Sequence, residues 1–195
     1  ITELQLIPGC DGSNVLKAGM FNDNRVSRLA FQSVLLEANA ITDIESLEMI
    51  SFYDVEEIGA YSIQNCPNLW QLNLNFTKKI GNGAFSNCPQ LRQIEAYALV
   101  ERGEGAFSDA GCVPLLPSEL DYTMDNSEVT INGFADGFIP QPDIAIPGVI
   151  DGFQVTTIGQ SAFTGQGNET ISLNSVCLSK KKKKIEAYAF SYSNI

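Results

Sequence analysis

The stretch Ile58-Gly59-Ala60-Tyr61-Ser62-Ile63-Gln64-Asn65-Cys66-Pro67-Asn68-Leu69 is answered 22 residues later by Ile80-Gly81-Asn82-Gly83-Ala84-Phe85-Ser86-Asn87-Cys88-Pro89-Gln90-Leu91. Glycine, cysteine, proline and three apolar positions keep one register, so a single small unit is repeated and the fold follows from how it stacks. A coil of this length cannot close a core alone. Stacking hides its inner residues against the coils above and below.

The pattern extends in both directions. Upstream, Leu36, Ile41, Ile44, Leu47, Ile50 and Phe52 stand 22 residues before Ile58, Ile63, Cys66, Leu69, Leu72 and Leu74. Downstream it runs through Ile80, Phe85, Cys88, Leu91, Ile94 and Ala96 into an irregular unit, where Arg102 takes the place of the first isoleucine and Cys112 is delayed by two residues. Val15 to Phe31 reads as a degraded first unit: Val15 stands for the isoleucine, Met20 for the phenylalanine, Asp23 for the cysteine, and Val26, Leu29 and Phe31 for the leucines. Leu4 and Leu6 alternate with polar neighbours ahead of Pro8-Gly9 and Asp11-Gly12, the mark of a short strand followed by turns.

Within a unit, Leu69-Trp70-Gln71-Leu72-Asn73-Leu74 has the form LxxLxL. Alternation along a strand turns Leu72 and Leu74 inward and places Gln71, Asn73 and Asn75 on the other face. The Ala-Phe-x-x-Cys part is too short for a full helix and predicts a turn of helix or 3₁₀. From Asp121 to Phe153 the strand signals Val129-Thr130-Ile131 and Ile144-Ala145-Ile146 are separated by Gly133, Gly137, Pro140 and Pro142. The repeat resumes at Ile158-Gly159-Gln160-Ser161-Ala162-Phe163 and again at Ile185-Glu186-Ala187-Tyr188-Ala189-Phe190, with Leu173, Val176 and Leu178 restoring LxxLxL between them. The expected organisation is a repeat solenoid over residues 1–117, a β-rich linker or cap over 118–157, and resumed repeats over 158–195. The last unit stops at Ile195 before its strand, so the solenoid is expected to continue or to be truncated there.

These residues resemble the BspA-like leucine-rich repeats, whose unit is similar to I-G-x-x-A-F-x-x-C-x-x-L-x-x-I-x-L-P. Ile58 to Leu74 and Ile80 to Ile94 carry the match, and Asp143 to Gly159 is similar to the I-P-x-x-I-D-G-x-x-V-T-x-I-G segment that opens many such arrays. The chain departs from the pattern at Lys180 to Lys184, where a proline-containing link is usual, and in the units from Val15 and from Arg102. The resemblance implies an α/β, β-rich repeat solenoid. This is a right-handed superhelix with a parallel sheet on one face and short helical or 3₁₀ turns on the other. It also implies a secreted or surface-attached protein that binds other macromolecules and has no catalytic centre.

Composition narrows the function further. The 195 residues are 44% apolar, ample for a continuous core, and carry a net charge of −11. Five of the 12 basic residues sit together at Lys180 to Lys184, and without them the balance would be −16. Such a chain lacks the distributed positive charge that nucleic acids or anionic membranes require. No run of 18 apolar residues is present, so no membrane insertion is expected of this segment, and Ile1-Thr2-Glu3 has none of the features of a secretory leader. A start at isoleucine is consistent with a trimmed mature fragment. Histidine is absent throughout, which removes Ser-His-Asp and Cys-His nucleophiles and every histidine-based zinc site.

The candidate ligand-binding residues are the outward strand positions: Arg28 and Gln32; Met49, Ser51 and Tyr53; Gln71, Asn73 and Asn75; Gln93, Glu95 and Tyr97. They line one surface, and solenoids commonly use such a surface for large partners. Trp70, the single tryptophan, is expected to cover the neighbouring coil, an interface anchor being the alternative. Cys66, Cys88 and Cys112 are expected to form a ladder of buried free thiols, since parallel side-chain vectors disfavour disulfides. Cys10 and Cys177 fall outside that ladder, with Cys177 on the open strand face. Lys180 to Lys184 reads as a solvated loop. Asn75-Phe76-Thr77 and Asn168-Glu169-Thr170 are glycosylation sequons that matter only in a eukaryotic secretory pathway.

The expected function is a non-enzymatic, extracellular or cell-surface binding and adhesion module for a protein or glycan, such as a host matrix protein or surface receptor, with no cofactor and no metal. The alternative is a structural stalk or self-associating spacer. A hydrolase using paired acids such as Asp136 and Asp143 has nothing else in its favour.

Overall fold

The structure, a computed structural model, describes residues 3–6, 14–21, 25–164, 172–179 and 183–193. Cys10, Asp23, Lys180 to Lys182 and the sequon at Asn168 lie outside the described residues. The chain forms two compact units, Ile1–Gly111 and Cys112–Ile195.

In the first unit, the strands Glu3–Leu6, Arg28–Gln32, Met49–Tyr53, Gln71–Asn73 and Gln93–Glu95 form one parallel five-stranded sheet in chain order. Met49 pairs with Gln71 and Gln71 with Gln93, so the register between these coils is the 22-residue repeat itself. Three shorter ladders hold the rest of the coils, one of them Val15–Leu16 on Leu35–Leu36. Glu57–Ile58, Lys79–Ile80 and Glu101–Arg102 stack in parallel, which puts Arg102 at the isoleucine position, and Ile41–Thr42 pairs with Ile63–Gln64.

Between the ladders the main chain still bonds to the next coil: Tyr61 N donates to Asn82 O at 2.8 Å, Ile63 N to Ala84 O at 2.9 Å, and Asn87 N to Ser108 O at 2.7 Å. This is why the Ala-Phe-x-x-Cys stretches are not helical. Backbone groups committed across the stack cannot also propagate a helix. They form turns, as where Ser86 N donates to Gly83 O, and the one 3₁₀ helix among the described residues is Pro117–Glu119. The described residues contain no α-helix.

The inner positions form continuous apolar columns. Leu29, Ile50, Leu72 and Ile94 are buried, as are Ile58 and Ile80, and Ile41, Ile63, Phe85 and Phe107. Phe31 stacks on Phe52 with ring centroids 5.5 Å apart, and Phe85 on Phe107 at 5.2 Å. Offset stacking of this kind adds about 0.5–1.5 kcal/mol beyond area burial. The first coil corrects the expected alignment by one residue. Leu16, not Val15, pairs with Leu36 and is buried, and Phe21 is buried while Met20 is 57% exposed. The turn from Phe31 to Leu36 is one residue shorter than that from Phe52 to Ile58, but the cause of the shift lies inside the coil: Leu16 to Phe31 spans one residue fewer than Leu36 to Phe52.

Close approach explains the recurring Ile-Gly. A Cβ on Gly81 would sit 2.5 Å from Ala60 N, and one on Gly103 2.4 Å from Asn82 N. Left-handed residues recur in columns as well. Asp43, Asn65, Asn87 and Asp109 have φ of 59°, 55°, 58° and 54°. Asparagine and aspartate tolerate this region because their short polar side chains bond locally. Here they bond along the stack: Asn65 Nδ2 donates to Asp43 Oδ1 at 2.9 Å and Asn87 Nδ2 to Asn65 Oδ1 at 2.8 Å.

Cys66 and Cys88 are buried free thiols in adjacent coils, as expected. Their Sγ atoms donate to Gln64 O at 3.4 Å and Ser86 O at 3.6 Å. A hydrogen bond to Cys88, reinforced by burial, pushes the Cys66 thiol up. Cys112 is buried and belongs to the second unit.

In the second unit, Val113–Pro114, Asp143–Ile146 and Ser175–Leu178 form a parallel three-stranded sheet. A second sheet has the order Leu120–Asp125, Glu128–Phe134, Phe153–Ile158, Val149–Ile150, with Lys184–Ile185 also on Phe153–Ile158. Its two hairpins turn through Asn126-Ser127 (φ 47° and 67°) and Asp151-Gly152 (φ 51° and 83°), the positive pair that suits two-residue loops. Leu120, Val129, Ile131, Ile144, Ile146, Ile150 and Val155 share one core with Ile158, Phe163, Leu173 and Ala189. Residues 118–157 therefore pack with the resumed repeats. Ile158 pairs with Ile185 across a longer coil, and Phe163 stacks on Phe190 at 5.4 Å.

Three outcomes follow from this packing. Gly81→Ala lowers unfolding free energy by about 1–3 kcal/mol, the usual cost of overpacking, read by chemical denaturation. Asn65→Ala costs about 1–2 kcal/mol for the left-handed backbone plus its hydrogen bonds, and Asn65→Gly recovers part of that loss. In the native protein Cys66 and Cys88 resist a disulfide reagent such as DTNB, and denaturant makes both reactive, as peptide mapping of the labelled thiols will show.

Candidate functional site

The outer face of the five-stranded sheet carries the sequence-nominated residues in columns set by the register. By register the first column runs Glu3, Arg28, Met49, Gln71 and Gln93, and the second Gln5, Ala30, Ser51, Asn73 and Glu95. Gln32 pairs with Tyr53 to begin a third, which Asn75 and Tyr97 continue at the same spacing. Neighbouring strands lie about 4.8 Å apart, so each side chain is flanked by its column neighbours.

That crowding corrects one expectation. Gln71, placed in the middle of its column between Met49 and Gln93, is only 8% exposed, and Tyr53 at 43% is the most open of the set. Arg28, Gln32, Met49, Ser51, Asn73, Asn75, Gln93, Glu95 and Tyr97 are half-buried. Ala30, which sequence reading passed over because it is small and apolar, occupies the same face and is buried beside Ser51.

Several polar atoms of this face lack partners. Arg28 Nε, Gln93 Nε2 and Asn75 Oδ1 are buried without a hydrogen bond. Asn73 Oδ1 accepts from Asn75 N at 3.3 Å. Partial burial, with the Glu95 carboxylate close by, pushes the Tyr97 phenol above its ordinary value. The sequon threonine Thr77 is fully buried and donates to Val55 O at 2.9 Å, so in the folded unit that sequon is part of the packing.

At the N-terminal ends of the same strands the first unit has a groove of about 750 Å³. Its lining includes the residues just before each strand, Ser27, Glu48 and Trp70, whose main chains are laddered by Glu48 N to Ser27 O at 2.8 Å and Trp70 N to Glu48 O at 3.0 Å. It also includes Arg25, Ser46, Asn68 and Gln90, each preceding the first leucine-type residue of its coil, and Glu45. Asn68 Nδ2 donates to Glu45 O at 2.8 Å, and Ser46 Oγ to Val26 O at 3.0 Å. Ser27 Oγ is buried without a partner. Trp70 is 41% exposed, so it covers its neighbours only in part and keeps much of the indole open.

Sequence reading nominated Trp70 but missed the other lining residues. Their signal is positional: they occupy the x before the first leucine and the first x after it in LxxLxL, outside the strict alternation of the strand. Elsewhere, Lys183 Nζ donates to Val155 O at 2.6 Å and Lys184 pairs with Glu186 at 2.9 Å, so both described members of the lysine run are engaged. The hydrogen bond from Lys184 and its charge hold the Glu186 carboxyl below its usual value. Cys177 is half-buried beside Ala145 rather than fully open. Asp143 accepts from Ser175 Oγ, while Asp136 is exposed. Among the described residues no group of three or more acidic or cysteine side chains is placed to hold a metal.

No curated protein and no solved structure matches the chain. The family model of the BspA type leucine rich repeat region matches it in six copies, over residues 14–126 and 147–195. That span includes the coils that form the sheet face and the groove, and on it the chain belongs to the BspA-type leucine-rich-repeat family.

Proposed function

We propose that the chain is a non-enzymatic binding and adhesion module, secreted or attached to a cell surface, whose open sheet face docks a protein such as a matrix component or receptor of a host. In the same reading the coils wind as a right-handed superhelix. The observation that carries the proposal is the composition of the three columns. Arg28, Met49, Tyr53 and Tyr97 belong to the residue types enriched at protein interfaces, and among the nominated residues of the columns Glu95 is the one acidic side chain and none is a lysine. Buried but unpartnered Arg28 Nε, Gln93 Nε2 and Asn75 Oδ1 give a partner groups to satisfy. Repeats of this family commonly serve as protein-interaction scaffolds. Absence of histidine speaks against general-base chemistry at neutral pH, and no described helix is long and apolar enough to cross a membrane.

Magnitude limits how the face works. Five strands about 4.8 Å apart and three to five residues long project an area of roughly 19 Å by 10–17 Å. A stable complex buries about 800 Å² on each partner, so the partner reaches past the strands onto the flanking turns. Pre-formed side chains held by their column neighbours keep the ordering cost low.

The test is a surface-binding panel of extracellular-matrix proteins and receptor ectodomains against the wild-type chain and a Tyr53→Ala, Asn73→Ala, Tyr97→Ala triple variant. At least one protein should bind, with affinity reduced about tenfold or more in the variant, the scale of a lost interface anchor. Undiminished binding by the triple variant would remove the sheet face from the reading.

A further inference from the structure

We infer that the groove beside the sheet, centred on Trp70, is a binding site for a neutral oligosaccharide, separate in its residues from the protein-docking face. The groove offers an aromatic plane flanked by hydrogen-bonding groups of both kinds. Trp70 leaves 41% of its surface open, and an indole is a broad apolar plate with a polar N–H edge. A pyranose ring has the complementary build, an apolar C–H face ringed by hydroxyls that both donate and accept.

The surrounding side chains meet those hydroxyls. Glu45 and Glu48 accept only, Arg25 donates only, and Gln90 does both. Asn68 has its amide N–H₂ engaged on Glu45 O, which presents Oδ1 as an acceptor. Ser27 Oγ is buried without a partner at the groove wall, a group that a ligand hydroxyl would satisfy.

Charge and dimensions select the kind of glycan. One arginine against two glutamates leaves the groove slightly negative in a chain of net charge −11, which disfavours sulfated or uronic-acid polymers and favours an uncharged one. A single aromatic wall is too little to cage a quaternary ammonium, for which several rings are used. The lining comes from four successive coils, so at about 4.8 Å per coil the groove runs roughly 14 Å. That length suits several linked sugars rather than one. The volume of about 750 Å³ lies within the usual range for ligand sites, about 300–1,000 Å³.

Because the chain has one tryptophan, its fluorescence reports on this site alone. The wild-type chain is titrated with cellohexaose, maltohexaose, mannohexaose and chitohexaose, with a tri-lysine peptide and a sulfated hexasaccharide as charged competitors. The expected result is a saturable change in emission with at least one neutral hexasaccharide, and isothermal titration of Trp70→Ala and Glu48→Gln should show affinity lower by about tenfold or more. Lys78→Ala, exposed and remote in the coil, keeps wild-type affinity, and circular dichroism of each variant checks the fold. A silent tryptophan with every neutral probe, a response to the charged probes only, or undiminished binding by folded Trp70→Ala would each overturn the inference. None of these outcomes touches protein docking, which the sheet-face variant tests by itself.

Discussion

Everything in the first unit depends on main-chain hydrogen bonds between coils that run in parallel, at an offset of 22 residues from Met49 onward. Met49, Gln71 and Gln93 stand in one register, and the bonding continues through the turns between Tyr61 and Asn82 and between Asn87 and Ser108. A buried N–H or C=O without a partner costs about 1–3 kcal/mol. Each coil must therefore follow its neighbour closely around its whole circuit. Glycine at positions 81 and 103 allows the approach of the adjacent backbone, and Asn65 and Asn87 allow the left-handed corners while bonding along the stack. The apolar columns then fill the interior that this path encloses.

How much of this was legible follows from which forces repeat. The Ile-Gly, Phe, Cys and Leu positions were readable because each is imposed again in every coil, and the structure buries Ile58, Ile80, Phe85, Cys66, Cys88, Leu69 and Leu91 as their spacing required. The first coil was misread by one residue because it runs one residue short between Leu16 and Phe31 while the ladders at both places kept their pairing, so Leu16 and Phe21 moved into places assigned to Val15 and Met20. Alternation placed Gln71 on the outer face, but alternation says nothing of how tall the flanking side chains are, and between Met49 and Gln93 it is 8% exposed. Bonding across the stack, invisible in a single unit, replaced the expected helical turns. The groove was illegible for a related reason: its lining residues are far apart in sequence and differ in every coil, so no motif announces them.

The two surfaces are products of the same architecture. Inner positions are constrained by packing and repeat almost unchanged, whereas outer ones answer only to their column neighbours and vary from Arg28 to Gln93 in one column and from Ser27 to Trp70 beside it. A regular frame thus presents changeable chemistry at fixed intervals of about 4.8 Å. In the second unit the frame is interrupted by hairpins through Asn126-Ser127 and Asp151-Gly152, yet Val129, Ile131 and Ile150 join the same core as Ile158 and Phe163. Unlike strand directions are tolerated there because the core needs apolar surface, not periodicity.

The asparagine ladder carries a last consequence. Its members lie 22 residues apart and each touches only the next, so the column measures chain length in whole turns of the coil. One residue gained within a ladder would throw every later rung out of phase, and one gained in a corner must be absorbed there, as the short turn before Leu36 absorbs its deficit. A complete extra coil would disturb nothing but the distance between the ends. Such a molecule can change its length only in quanta, and lengthening its contact surfaces adds new outer side chains without redesigning the interior.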